Sequence, residues 1–214
     1  MTRRPLRSRE TKWAAAVARW LTRSGIRPNQ ISILSAVFAA LSGLSLVLTA
    51  TAGPAWRIAL FVAAAAFIQL RLLCNLFDGM VAVEGGLRTK SGEIFNDLPD
   101  RLSDAFIFIG AGYSITWISW GSDLGWLAAL LAVLTAYVRV LGGSTGAGQY
   151  FAGPMAKQHR MAIMTAACLV GAIEAAAAGR PVRAVTLALA VIVAGCVVTV
   201  IRRTILIARD LESK

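Results

Sequence analysis

Two short rows of oxygen-bearing side chains stand out in this chain of 214 residues. Asn75 and Asp78 are spaced i, i+3, which puts both on one face of a helix, and Ala82 continues that face. Asn96, Asp100 and Asp104 follow at i, i+4, i+8. The acids are concentrated: six of eleven are Asp78, Glu84, Glu93, Asp97, Asp100 and Asp104. Two such rows on adjacent helices can converge on one point. Oxygen-only ligands suit a hard cation such as Mg²⁺ or Mn²⁺. A metal held there would bridge to an anionic substrate, a phosphate or pyrophosphate. Gly79 removes a side chain where a ligand would approach the backbone. Gly85, Gly86 and Gly92 give the connecting loop freedom to fold over it.

The elements that must position these rows are helices in a membrane. The chain is 57% apolar and only 15% charged, with a mean hydropathy of +0.66. A soluble domain carries about 25% charged residues, so an ordinary cytosolic globule and a disordered chain are both excluded. Six stretches approach the ~20 apolar residues that a bilayer requires. They lie at roughly 30–50, 55–77, 102–119, 124–141, 161–178 and 184–201. Carboxylates in or beside such spans are costly, which makes Asp78, Asp100 and Asp104 functional candidates. Cys74, Cys168 and Cys196 lie in apolar runs without CxxC spacing, so neither a disulfide framework nor a zinc site is expected.

The net charge of +11 would suggest nucleic acid in a soluble protein, but the positions of the charges point to a membrane surface instead. Arg3, Arg4, Arg7, Arg9, Lys12, Arg19, Arg23 and Arg27 precede the first span. Arg88 and Lys90 lie in the second connection, Lys157 and Arg160 in the fourth, and Arg202, Arg203, Arg209 and Lys214 at the end. The opposite side has only Arg57, Arg180 and Arg183. Both termini are therefore expected in the cytoplasm. Within the lead-in, Trp13, Ala16, Val17, Trp20 and Leu21 recur at helical spacing, as in a helix lying in the membrane interface. The predicted fold class is all-α: a polytopic membrane protein of six transmembrane helices with an N-terminal interfacial amphipathic helix. Residues 1–28 form the basic juxtamembrane segment and 29–214 the transmembrane domain.

The two rows resemble the signature of the CDP-alcohol phosphotransferases, D-x-x-D-G-x-x-A-R, a loop, then G-x-x-x-D-x-x-x-D. This chain reads Asn75-Leu76-Phe77-Asp78-Gly79-Met80-Val81-Ala82-Val83, then Gly92-Glu93-Ile94-Phe95-Asn96-Asp97-Leu98-Pro99-Asp100. Spacing within both halves is kept. The resemblance implies metal ligation at Asn75, Asp78, Asn96 and Asp100, with Asp100 as general base. It places Asp78, Gly79, Ala82 and Gly92 against the cytidine nucleotide. It also implies a homodimer in a bacterial inner membrane. Three positions depart from the signature: Asn75 and Asn96 replace acids, and Val83 replaces the arginine. A branch of the family looks similar in carrying Asn at these places with Asp-Gly-Met. Asp97, Asp104 or Glu84 are candidates to compensate the lost charge.

Arg139, Lys157 and Arg160 form a second basic constellation that could bind an acceptor's phosphate. The plainer alternative is positive-inside charge with snorkelling stems. His159, the only histidine, is read as a solvated side chain. Arg71 lies within the second span and needs a polar partner. The expected function is a membrane transferase of phospholipid synthesis. It moves a phosphatidyl group from CDP-diacylglycerol to an alcohol and releases CMP. The rivals are a relative using a soluble CDP-alcohol and a lipid acceptor, an inactive relative, and a small transporter. Acids clustered at one membrane edge, not spread across the midplane, argue against the transporter.

Overall fold

The computed structural model describes residues 11–84, 86, 92–177 and 182–213, apart from the side chains of Glu84, Glu93 and Asn96. Among the described residues the regular structure is entirely helical. Seven helices follow in order: α1 (Lys12–Arg23), α2 (Pro28–Leu48), α3 (Pro54–Glu84), α4 (Gly92–Tyr113), α5 (Gly121–Ser144), α6 (Lys157–Ala176) and α7 (Ala184–Glu212). Five of them, α2, α3, α5, α6 and α7, are long and apolar enough to cross a membrane. The chain is thus a polytopic integral membrane protein. The sixth expected span, 102–119, corresponds to α4, which begins ten residues earlier and ends at Tyr113. Its first thirteen residues carry Asp97, Asp100, Arg101 and Asp104 together with Pro99, so the acidic row lies on the helix itself.

Helix ends follow from local chemistry. Pro28 and Pro54 open α2 and α3, where a fixed φ and a missing N–H cost nothing. The turn after α1 closes as Gly25 adopts φ 74°, while Gly25 N–H donates to Thr22 O and Ile26 N–H to Leu21 O. α3 has 31 residues, about 46 Å at ~1.5 Å per residue. A hydrocarbon core of about 30 Å takes up only ~20 of them. Counted from Pro54, the surplus is the polar end that holds Asn75 and Asp78.

The chain divides into two compact units, Met1–Phe38 with Gln69–Ser103 and Ala39–Ile68 with Asp104–Lys214. In the first, Ala14 and Ala18 of α1 are fully buried and pack in one cluster with Ile31 of α2 and Cys74, Leu76, Met80 and Val81 of α3. Trp13 meets Phe77 edge-on at 6.0 Å. The expected aromatic stripe of α1 is present, but Trp13 and Trp20 are 51% and 63% exposed. The small alanines, which allow close approach, form the face that docks. This leaves the tryptophans free for the headgroup layer.

In the second unit, α2 and α4 touch at glycines. A methyl group on Gly43 would run into the Phe106 carbonyl, and one on Gly110 into the backbone of Gly43. Such small-residue crossings let transmembrane helices gain van der Waals contact at short range. Gly43→Ala is therefore expected to destabilise by about 1–3 kcal/mol, read as a lower melting midpoint in detergent. Gly53→Ala, whose methyl would meet nothing within 4 Å, should leave the midpoint in place.

Candidate metal centre

The first unit gathers the polar side chains of α2, α3 and α4. Ser32 and Ser35, one turn apart on α2, face Asp78 and Asn75, one turn apart on α3. Ser32 Oγ donates to Asp78 Oδ2 at 2.8 Å, and Ser35 Oγ to Asn75 Oδ1 at 2.9 Å. Asn75 Nδ2 then donates to Asp100 Oδ1 of α4 at 2.9 Å. Arg71, one turn before Asn75, lies with Nη2 3.7 Å from the same oxygen. Asp78 and Asp100 are buried, and Arg71 is fully buried.

The chemistry of Asn75 explains how this arrangement holds together. A carboxylate at its position would press against Asp100 and need a cation between them. The amide instead presents a hydrogen to Asp100 and an oxygen to Ser35, so both ends of the Asn75 side chain have a complementary partner. Ser32 and Ser35 were not foreseen as site residues. The available signal was a row of serines, Ser32, Ser35, Ser42 and Ser45, on one face of an apolar helix.

The donor set available to a metal is oxygen only: the Asp78 and Asp100 carboxylates, with the Asn75 carbonyl beside them. No group of three or more His, Cys, Asp or Glu side chains placed to hold a metal ion occurs among the described residues. Mg²⁺ and Mn²⁺ are suited to such a set, because Mg²⁺ sites characteristically combine one or two carboxylates with water and substrate phosphate oxygens. The residues present therefore fit a hard divalent cation. Gly79 and Ala82 follow on α3, and Gly92 opens α4. The Asn96 and Glu84 side chains, and Arg88 and Lys90, lie outside the described residues.

Two of the candidates for charge compensation, Asp97 and Asp104, are engaged by arginines. Asp97 meets Arg101 at 3.0 Å, an i, i+4 pair on α4. Asp104 belongs to the second unit, where its Oδ2 accepts from Arg160 Nη2 at 2.6 Å. Both partners of that pair are nearly inaccessible, at 2% side-chain exposure each. Arg160 Nη1 also donates to Thr135 Oγ1 at 3.2 Å and to Met155 O at 3.0 Å. Arg203 donates to Ala152 O at 2.9 Å and to Thr135 O at 2.5 Å. These two guanidinium groups thus tie the α5–α6 connection to α5. Arg139 lies over the Phe151 ring at 5.4 Å, Lys157 opens α6 half-buried, and His159 Nδ1 is 2.6 Å from Pro154 O.

No family model matches the chain. Inner membrane protein YnbA of Escherichia coli (strain K12) is 26% identical over 149 residues, 67% of each chain. Similar solved structures are those of Mycobacterium tuberculosis phosphatidylinositol phosphate synthase (PgsA1). The one with CDP-DAG bound superposes at TM-score 0.75 and 19% identity, over 92% of this chain and 94% of that one. The complex with manganese and citrate gives TM-score 0.72 and 21% identity, over 91% of this chain and 88% of that one. The chain accordingly shares the fold of this phosphatidylinositol phosphate synthase.

Proposed function

We propose that this chain is a divalent-metal-dependent phosphatidyltransferase, taking CDP-diacylglycerol as donor and an alcohol as acceptor. The observation that carries the reading is the pair of buried carboxylates, Asp78 and Asp100, held by Asn75, Ser32 and Ser35 at the polar ends of two long helices. That pair sits in a fold shared with a synthase solved with CDP-DAG and, separately, with manganese.

Asp78 and Asp100 would hold Mg²⁺ or Mn²⁺, whose role when bound is to neutralise charge on the donor's pyrophosphate. Ser32 fixes the Asp78 carboxylate through Oδ2, and Asn75 fixes the Asp100 carboxylate through Oδ1. Asp100 takes the proton of the acceptor hydroxyl as its oxygen attacks the lipid-linked phosphorus. The new P–O bond joins acceptor and phosphatidyl group, the pyrophosphate P–O bond breaks, and CMP leaves. Gly79 and Ala82, without long side chains, leave room for the nucleotide along α3, and Gly92 does so at the start of α4.

The testing experiment is the purified chain in lipid nanodiscs with CDP-diacylglycerol and a panel of alcohols: glycerol 3-phosphate, inositol phosphate and serine. A phosphatidyl product identified by mass spectrometry with one of them supports the reading. Product formed only from a soluble CDP-alcohol and a lipid acceptor would reverse the donor assignment.

The same reading puts the protein in a bacterial inner membrane with both termini and the 75–104 region on the cytoplasmic face. A cysteine introduced by Lys90→Cys should then react with impermeant maleimide only in inverted vesicles. Labelling in intact spheroplasts would overturn this orientation.

A further inference from the structure

The transfer mechanism makes no use of Arg71, yet its surroundings are specific. Arg71 is fully buried, and a guanidinium withdrawn from water is costly unless a counter-charge faces it. That counter-charge is Asp100, 3.7 Å away. Arg71, Asn75, Asp78 and Ala82 fall at i, i+4, i+7 and i+11, so they form one stripe of α3. Asp100 Oδ1 thus receives the Asn75 amide hydrogen at 2.9 Å and the Arg71 charge together.

The charge balance of this stripe decides how many cations it suits. Asp78 and Asp100 contribute two negative charges and Arg71 one positive, while Asn75, Ser32 and Ser35 are neutral. The net charge is one negative. One divalent cation brings the centre to one positive, which complements a pyrophosphate. A second would bring it to three positive with no further carboxylate supplied by the described side chains. Asn96 adds no charge either, and Asp97 is paired with Arg101.

We propose that this centre binds a single divalent cation, and that the Arg71 guanidinium supplies beside Asp100 the positive charge a second cation would otherwise bring. This rests on the reading of a metal-dependent transferase given above. Arg71 acts through Asp100 and is a positioning residue, and the ligand class remains a pyrophosphate-bearing donor.

The test is Mn²⁺ binding to the purified chain in nanodiscs, followed by titration and by electron paramagnetic resonance. Wild type should saturate at one Mn²⁺ per chain with the spectrum of an isolated ion. Arg71→Gln removes a positive charge beside the cation. It should tighten Mn²⁺ binding by at least about tenfold, because at the effective dielectric of about 20 that describes protein sites a unit charge a few Å from a divalent ion acts by more than that factor, while turnover falls. A purely structural arginine would behave the opposite way, since loosened packing weakens metal binding and turnover together. Arg71→Lys keeps the charge and should retain an affinity close to wild type, which provides a readout if the glutamine variant does not fold. Arg71→Gln/Asn75→Asp/Asn96→Asp should take up a second Mn²⁺, magnetically coupled to the first. Two coupled ions in the wild type would overturn the proposal and leave metal-dependent transfer standing. Weakened Mn²⁺ binding in both single variants would overturn the role of Arg71. Absence of Mn²⁺ binding in the wild type would overturn the metal-dependent reading itself, and this proposal with it.

Discussion

Asp100→Asn is expected to lower turnover by about 10²–10⁴-fold, the range a positioned general base contributes. The substitution is nearly isosteric. Its amide oxygen can still accept from Asn75 Nδ2, which donates to Asp100 Oδ1 at 2.9 Å in the native chain. What is lost is the ability to take the acceptor's proton. Donor affinity should therefore change far less than turnover, giving a kcat effect with a nearly constant donor KM. Arg71 loses its charged partner in this variant, so the folded fraction must be measured alongside and the rate expressed per folded molecule. Turnover equal to wild type on that basis would reject Asp100 as the base.

Asp104→Ala should cost about 3–5 kcal/mol of stability, the range for breaking a buried ion pair from one side. The Arg160 guanidinium would be left at 2% exposure beside the neutral Thr135 Oγ1 and Met155 O, without the carboxylate that balances its charge. Arg160→Ala should cost a similar amount, because it takes the guanidinium from the buried Asp104 and also frees the carbonyl of Met155. Removing both charges is a different experiment. Asp104→Leu/Arg160→Met replaces the pair with apolar groups of similar size, and such replacements are often neutral or stabilising. The double variant should therefore be more stable than either single alanine variant. Thermal midpoints in detergent for the four proteins read this directly. Single variants as stable as wild type would mean that the pair does not hold the α5–α6 connection.

Much of this was legible from residue types and spacing. The helical rows placed Asn75 with Asp78 and identified Asp100, because side chains three or four apart share a face. The i, i+4 pair of Asp97 and Arg101 follows from the same rule. Hydropathy located five spans because each is a continuous apolar helix. It shortened and shifted α4, since a window average treats Asp97, Asp100 and Asp104 as unfit for a membrane. A helix needs only some of its faces to be apolar, and α4 buries Asp100 and Asp104. Pairings across helices carry no spacing rule. Asp104 and Arg160 are 56 residues apart, and Ser32 and Asp78 are 46 apart. Arg71 was recognisable as a buried charge needing a partner. Only the packing of α3 beside α4 within the first unit identifies that partner as Asp100.

The central claim is metal-dependent phosphatidyl transfer at Asp78 and Asp100. It is tested most directly by CMP release from CDP-diacylglycerol, with an accepting alcohol, by wild type and Asp78→Ala in nanodiscs. Chelation should abolish CMP release from the wild type, and added Mg²⁺ or Mn²⁺ should restore it. Asp78→Ala should release none under either condition, because the carboxylate that would hold the cation is gone. CMP release that persists under chelation, or that is undiminished in Asp78→Ala, would contradict the account.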